Sequence, residues 1–168
     1  LPSSKRNEPL IRWDDAVKLP WGILILFGGG MALATGFEES GLALWVGSQL
    51  QLLETIPIIM LLLIVITAVN FITEITSNMA TTAILLPVLA SLASAIGVNP
   101  YLLLVGATVA ASCAFMLPVA TPPNAVVFGS GHLEINDMVK KGFWMNIASI
   151  IILTFVINYL LPMAWKLS

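Results

Sequence analysis

The amino-acid sequence predicts an all-α membrane protein in which a re-entrant helical hairpin and a discontinuous helix accompany ordinary transmembrane helices. Its 168 residues are 58% hydrophobic and 10% charged, with a mean hydropathy of +0.98, whereas soluble domains contain about 25% charged residues. Residues 75–133 contain no Asp, Glu, Lys or Arg, and two helix-breaking sequences interrupt them, TSN at 76–78 and ATPPN at 120–124. Irregular backbone at membrane depth is tolerated only inside protein or beside a water-filled cavity. We therefore expect both interruptions to lie within the protein.

The first third of the chain predicts one spanning helix between two surface segments. Residues 1–19 are rich in Lys and Arg and predict a cytoplasmic or juxtamembrane segment; they begin LPSSKRNEP, without Met, so we expect a piece of a longer protein. Residues 20–37 are uncharged and long enough to cross a membrane. Their Gly28-Gly29-Gly30 run predicts close packing against another helix. Residues 41–54 are too short to span and mix leucines with polar side chains, which predicts an interfacial helix.

The rest of the chain predicts three helical units. They are a re-entrant hairpin at 56–97 with its tip at 76–79, a broken transmembrane helix at 100–131 with its break at 118–124, and a final transmembrane helix at 142–165. If the arms crossed fully, TEITSNM at 73–79 would be a cytoplasmic loop and would be expected to carry Lys or Arg, but its only charged residue is Glu74, which favours a tip at mid-membrane. Basic residues precede the first and the last helix, so we expect a plasma- or inner-membrane protein with its N-terminal segment in the cytoplasm and its C-terminus outside.

The two interruptions together predict a site for an anion and a cation. Ser77 and Asn78 are N-cap residue types for the second hairpin arm, as Thr121 or Asn124 is for the half-helix that follows the prolines. The N-termini of half-helices carry positive partial charge and attract a carboxylate or another oxyanion. The proline pair ends the preceding helix and frees its carbonyls at 117–120, which suit a hard cation such as sodium. Discontinuous helices of this kind mark the binding sites of secondary transporters.

Each interruption also has a structural interpretation when it is taken alone. A Ser-Asn pair often bonds between helices and a Pro-Pro pair is commonly a kink, but their conjunction in one uncharged stretch favours a binding site. Glu74 is either a coupling carboxylate or a structural cap near the hairpin turn, and we favour the structural interpretation. The single His132 and the single Cys113 exclude a histidine–cysteine metal cluster and an internal disulfide. Because no nucleophile–base pair and no basic tract are found, we expect no enzyme, no organic cofactor and no nucleic-acid partner.

Three segments resemble a known family. TEITSNMATTAILLPVLASLA and FMLPVATPPNAVVFGSGHL closely resemble the C-terminal part of the divalent anion:sodium symporter (DASS) family, the carriers of citrate, C4-dicarboxylates and sulfate. WGILILFGGGMALATGFEESGL resembles the helix before that family's second hairpin. The resemblance covers residues 13–160 and implies the C-terminal portion of an inverted-repeat, elevator-type transporter, with the helix at 20–37 in its scaffold. It also implies that the full-length protein is a homodimer in the lipid bilayer, each protomer having a mobile transport domain.

The resemblance implies roles for individual residues as well. The positions that match substrate contacts, at the hairpin tip and in the broken helix, are Ser77, Asn78, Met79, Thr121 and Pro122. The positions that match a sodium site, chiefly through main-chain carbonyls and the Asn amide, are Thr73, Thr76, Asn78 and Ala120. Met79 departs from the family, which often has Thr or Val there, so one hydroxyl contact to the substrate is missing.

The resemblance favours one function and leaves two alternatives. The favoured function is sodium-coupled symport of a di- or tricarboxylate such as succinate, malate or citrate, with sodium as the co-transported ion. The family's first hairpin and first sodium site lie outside this chain, so the N-terminal half of the same transporter is an expected partner. The alternatives are symport of sulfate or another inorganic divalent anion and, in a different class, an ion channel or pore subunit.

Overall fold

The computed structural model describes residues 13–17, 21–42, 45 and 57–166. The helices are α1 (Trp13–Ala16), α2 (Trp21–Glu39), α3 (Ile58–Ile72), α4 (Asn78–Ala95), α5 (Pro100–Ala111), α6 (Pro122–Gly129), α7 (Ile135–Phe155), a π-helical turn (Val156–Leu160) and α8 (Leu161–Trp165). No strand occurs among these residues, which confirms the all-α class over the part that the structure describes. The predicted interfacial helix at 41–54 lies almost wholly outside the described residues.

Helix α5 packs against both arms of the hairpin, α3 and α4, which residues 73–77 connect. Small side chains on α5, at Gly106, Ala107 and Ala110, let the neighbouring helices approach closely. The apolar core that results is formed by Leu62, Ile66, Val69, Leu89, Ala93, Leu103, Ala107, Ala110, Ala111, Ile150 and Ile157. The hairpin, α5 and the last helix therefore form one packed unit.

The lengths of the helices bear on how the chain crosses a membrane. Two helices among the described residues are long and apolar enough to cross, α4 and the continuous helix Ile135–Trp165. At about 1.5 Å per residue, the 15 residues of α3 and the 12 of α5 span roughly 22 and 18 Å, less than the ~30 Å hydrocarbon layer. If each of these helices starts at the membrane surface, the interruption that follows it lies within the membrane. The re-entrant course of the hairpin stays a prediction.

The broken helix and the last helix have boundaries that differ from the predicted ones. Helix α5 ends at Ala111 and the chain resumes helix at Pro122, so the break covers 112–121 rather than 118–124; its amides bind a buried carboxylate, as described below. The last helix starts at Ile135 rather than at 142. The exposed side chains of Lys140 and Lys141 do not end a helix, because long basic side chains reach from it into a polar region.

Smaller differences affect the first helix and the hairpin tip. The first helix covers Trp21–Glu39 rather than 20–37, and the tip covers 73–77 rather than 76–79. Asn78 is already helical, so Ser77 rather than Asn78 takes the N-cap position. The second arm therefore begins at Asn78, inside the predicted tip.

The glycine run of α2 makes its close contact through one of its three residues. A Cβ at Gly30 would collide with the backbone carbonyl oxygen of Ala83 in α4 and would lie 3.2 Å from its carbonyl carbon. A Cβ at Gly28 or Gly29 would meet nothing within 4 Å. Within the described part of the chain, the predicted close packing is therefore made at Gly30, where α2 passes α4.

We expect Gly30→Ala to destabilise the protein by about 1–3 kcal/mol, because the backbones of α2 and α4 must separate to admit the methyl group. Gly29→Ala is the matched control and should leave stability unchanged or slightly higher, since alanine favours a helix. Thermal unfolding of the purified proteins in detergent measures both. Equal melting temperatures for the two variants would contradict the close contact.

Candidate ligand-binding site

The two interruptions form the walls of one cavity. It has a volume of about 430 Å³ and is lined by Ile75, Thr76, Ser77, Asn78, Met79, Val119, Ala120 and Pro122. One wall comes from the hairpin tip and the start of α4, and the other from the end of the break and the start of α6. The volume lies within the range of about 300–1,000 Å³ that small-molecule sites occupy. The fold thus brings together two sequences that lie far apart along the chain.

The hairpin wall ends in a helix N-terminus without a side-chain cap. Ser77 occupies the N-cap position of α4, but its side chain makes no capping hydrogen bond. Serine normally caps by accepting a bond from a backbone amide of the first turn. By contrast, Asn99 caps α5 by accepting from Tyr101 N at 3.1 Å. The start of α4 therefore keeps amide groups and positive partial charge beside the cavity, which is the arrangement that binds an oxyanion.

The opposite wall does not offer a second N-terminus of this kind. Pro122 and Pro123 have no N–H group. The next amide, Asn124 N, donates to Thr121 Oγ1 at 3.3 Å, and Ala125 N donates to Thr121 O at 3.1 Å. The prediction that both half-helix N-termini attract an anion is therefore wrong for α6, whose first amides are absent or already bound.

Several carbonyls of the break are also occupied. Asn124 Nδ2 donates to Ala114 O at 2.9 Å and to Leu117 O at 3.1 Å, while Asn70 Nδ2 donates to Cys113 O at 2.7 Å. The prediction of free carbonyls is therefore wrong at Leu117. Among the described residues, the main-chain carbonyls of Thr73, Thr76 and Ala120 accept no backbone hydrogen bond, so these three oxygens keep lone pairs for another partner.

Thr73 and Asn78 form a partly buried polar pair behind the hairpin tip. Thr73 is fully buried, and its Oγ1 lies 2.6 Å from Asn78 Oδ1 and 2.9 Å from Ala111 O. A hydroxyl has one proton, so it cannot satisfy both acceptors at once. Thr76 Oγ1 lies 2.8 Å from Ile72 O, to which it donates, and 2.6 Å from Thr81 Oγ1.

The structure gathers most of the site residues that the sequence predicted. Ser77, Asn78, Met79 and Pro122 line the cavity, as do Thr76 and Ala120 from the predicted sodium set. Thr73 lies behind the wall, in contact with Asn78. Thr121 does not line the cavity; its hydroxyl oxygen caps α6. The assignment of these residues to a substrate and to sodium stays a prediction.

Sequence reasoning missed the polar contacts that hold the break in place. Glu74 is buried, and its carboxylate accepts hydrogen bonds from the amides of Phe115, Met116 and Leu117 and from Asn146 Nδ2. These amides donate to a side chain instead of to helix carbonyls, which explains why the break starts at residue 112. These bonds agree with the favoured structural interpretation of Glu74, although the cap lies across the fold and not within the turn. The signal for Asn146 was an amide side chain inside an otherwise apolar stretch of the last helix.

The last helix contacts the break through Gly142. A Cβ at this position would collide with the backbone carbonyl oxygen of Phe115 and lie 2.6 Å from Met116 Cα. Backbone atoms cannot yield as a flexible side chain does. Only glycine therefore lets α7 approach the break closely enough for Asn146 to reach Glu74.

We expect Gly142→Ala to push the break away from α7 and to raise the labelling rate of the half-buried Cys113 several-fold. Mass spectrometry of the peptide that contains Cys113, after timed exposure to a small maleimide, measures this rate. Gly129→Ala at the end of α6 is the control, because a Cβ there meets nothing within 4 Å. A labelling rate equal in Gly142→Ala and Gly129→Ala would contradict the contact.

Comparisons with known proteins were made for the whole chain. Residues 6–166 match the family described as the sodium:sulfate symporter transmembrane region. A protein of Staphylococcus saprophyticus named sodium-dependent dicarboxylate transporter SdcS is 50% identical over 160 residues, which cover 95% of this chain and 31% of that protein. The protein of the same name from Staphylococcus aureus strain MRSA252 is 49% identical with the same coverage.

The chain thus spans 31% of the length of these relatives, which are named as transporters and not as enzymes. The family match covers nearly the whole chain and confirms the resemblance seen in the two interruptions. This chain is an integral membrane protein segment that belongs to the sodium:sulfate symporter family.

Proposed function

We propose that this chain forms the C-terminal half of the substrate and sodium site in a sodium-coupled symporter of di- or tricarboxylates such as succinate, malate or citrate. The observation that carries the proposal is the uncapped N-terminus of α4 beside a cavity of about 430 Å³. An N-terminal part of the same transporter would supply the other half-site. The relatives named as sodium-dependent dicarboxylate transporters support the ion and the substrate class.

This half of the site would bind the anion without a basic side chain. No Lys or Arg occurs between Lys18 and Lys140, so these residues can meet the negative charge only with dipoles. The amides at the start of α4, the Ser77 hydroxyl and the Asn78 amide provide donors on one wall. A helix N-terminus with its positive partial charge favours a carboxylate there.

The apolar side chains that line the cavity favour a carboxylate with a carbon chain over sulfate. Its lining includes the apolar side chains of Ile75, Met79, Val119 and Pro122. A sulfate ion presents oxygens in every direction, and those that face apolar side chains would lose hydrogen bonds without replacement. A dicarboxylate can place its methylene groups against these side chains and one carboxylate at the helix start.

Sodium would bind behind the hairpin tip, through oxygen ligands. The carbonyls of Thr73, Thr76 and Ala120 and the side chain of Asn78 are the proposed ligands, and oxygen is the donor that hard cations prefer. Asn78 then belongs to both sites, since its side chain contacts Thr73 and its backbone starts the helix that binds the anion. Sodium that fixes the Asn78 side chain also orders the anion site, which couples the two ligands.

The membrane arrangement extends the same proposal. The short α3 and α5 suit a re-entrant hairpin and a half-helix that both stop near the midplane, where transporters place their sites. With the N-terminal segment in the cytoplasm, the hairpin enters from the outer side. Elevator-type movement of this unit against a dimeric scaffold would carry the site across the membrane.

We expect Asn78→Ala to abolish sodium-dependent succinate uptake and Ser77→Ala to lower it by about tenfold, because each removes a ligand or its support. Uptake into proteoliposomes of the complete transporter, with sodium and with choline, is the measurement. Ser94→Ala is the matched control on the same helix, since the exposed Ser94 hydroxyl bonds only within the helix, to Ala90 O. It should transport like the wild type.

Uptake that is the same in sodium and in choline would contradict coupling to sodium. A steady conductance without saturation by substrate would favour the channel alternative, and sulfate uptake that exceeds succinate uptake would favour an inorganic anion.

We expect Met79→Thr to raise the ratio of sulfate to succinate uptake by about threefold to tenfold, the effect of one added net hydrogen bond at an apolar wall. Met60→Thr is the control, since Met60 and Met79 are 51% and 50% exposed but only Met79 lines the cavity. Competition uptake with labelled sulfate and succinate measures the ratio. An unchanged ratio would show that Met79 does not face the substrate.

A further inference from the structure

We propose that Glu74 is a positioning residue that joins the two walls of the cavity and the last helix into one rigid unit. The inference rests on the proposed function, because it assigns the unit the task of holding the substrate and sodium ligands in register. It concerns a side chain that does not itself line the cavity.

The carboxylate of Glu74 is saturated by N–H donors from two other segments. Oε1 accepts from Phe115 N at 2.8 Å, Met116 N at 3.0 Å and Asn146 Nδ2 at 2.7 Å. Oε2 accepts from Met116 N at 3.1 Å and Leu117 N at 3.0 Å. Glu74 is only 3% exposed. A buried carboxylate is tolerated when donors surround it in this way, and bonds to a charged group are stronger than neutral ones.

The location of these bonds places the carboxylate behind both walls. Glu74 lies three residues before Ser77 on the hairpin wall, and Leu117 lies three residues before Ala120 on the opposite wall. The hairpin tip and the break are not helical over these residues, and their backbone forms only turn bonds, such as Ala120 N to Leu117 O at 3.2 Å. The walls therefore cannot separate unless the carboxylate leaves its donors.

The last helix is tied to the same point. Asn146 is fully buried and donates to Glu74 Oε1, and Gly142 of the same helix touches the backbone of the break. Asn146 Oδ1 has no partner among the described residues, so this side chain is held through its donor group. The three segments meet at one carboxylate.

A ligand role for Glu74 does not fit its surroundings. Both oxygens already accept from N–H groups, and the side chain is absent from the cavity lining. A cation bound directly to this carboxylate would have to displace the amides that shape the break. Glu74 therefore acts through the positions of Ser77 and Ala120 and not through contact with a transported ion.

Replacement by glutamine tests the arrangement because neither orientation of the amide fits. Its NH₂ group would face Phe115 N and Met116 N in one orientation, and Met116 N and Leu117 N in the other. Two donors would then oppose each other with no acceptor between them. Glu74→Gln keeps the size of the side chain and removes at least two of the bonds.

The test is the distance between spin labels on the two walls of the complete transporter, with Cys113→Ala and other cysteines replaced. Labels at positions 75 and 119 suit it, since Ile75 and Val119 are 74% and 80% exposed on opposite walls. We expect a single narrow distance distribution with Glu74, and a distribution about twice as wide in Glu74→Gln, because the two walls become separate units. Glu134→Gln is the matched control; Glu134 is exposed and its side chain makes no capping bond.

An unchanged distribution in folded, monodisperse Glu74→Gln would overturn the proposal, because a residue that only adds stability would lower the melting temperature without widening the distances. If Glu74→Gln does not fold, the same distance measurement in Asn146→Ala tests the proposal. That substitution removes one of the bonds and should widen the distribution less but in the same way, and an unchanged distribution would overturn the proposal.

Transport provides a second, separable measurement. In Glu74→Gln we expect the sodium concentration for half-maximal uptake and the KM for succinate both to rise by about tenfold to a hundredfold, as when a residue that supports metal ligands is lost. Wild-type KM values in a variant with widened distances would overturn the positioning role. If the wild type transports no carboxylate, the proposed function fails, while the distance measurement still decides whether Glu74 joins the walls.

Discussion

Every backbone N–H and C=O group in the interior of a membrane must find its partner inside the protein, and the two interruptions of this chain find many of theirs in polar side chains from elsewhere in the fold. Glu74 in the hairpin tip accepts the amides at 115–117, while Asn70 and Asn124 donate to carbonyls of the break. These side chains supply hydrogen-bond partners that a helix would otherwise provide. The packing of α5 on both hairpin arms and the close approach of α7 at Gly142 depend on this arrangement.

Several backbone groups that this network leaves free lie at the cavity or directly behind its wall. The first amides of α4 have no side-chain cap from Ser77, and the carbonyls of Thr73, Thr76 and Ala120 accept no backbone bond from described residues. Free N–H groups attract anions and free carbonyls attract cations, so one site can hold both without any charged side chain in its lining.

The N-termini of α4 and α6 differ, so the two walls of the cavity are chemically unequal. At α4 the amides are available, whereas at α6 the two prolines and the Thr121 cap leave none in the first turn. Under the proposed function, a carboxylate would therefore have one preferred wall, and the apolar side chains of Val119 and Pro122 would face its carbon chain on the other. This asymmetry supports the proposal of an organic anion over an inorganic one.

The sequence by itself determined the helical class, the membrane setting, the two interruptions and the residues that face each other across the cavity, because these follow from composition, from proline and N-cap chemistry, and from a motif of family members. It did not determine the length of the break, which tertiary structure extended to 112–121. A helix end predicted from local sequence assumes that the backbone amides bond within the helix. The amide of Phe115 instead donates to the carboxylate of Glu74, 41 residues away in the chain. The partnership of Glu74 with Asn146, 72 residues apart, and the selection of Gly30 from three adjacent glycines arise in the same way. Contacts between segments that are distant in sequence determine these features, and no local sequence pattern predicts which segments will meet.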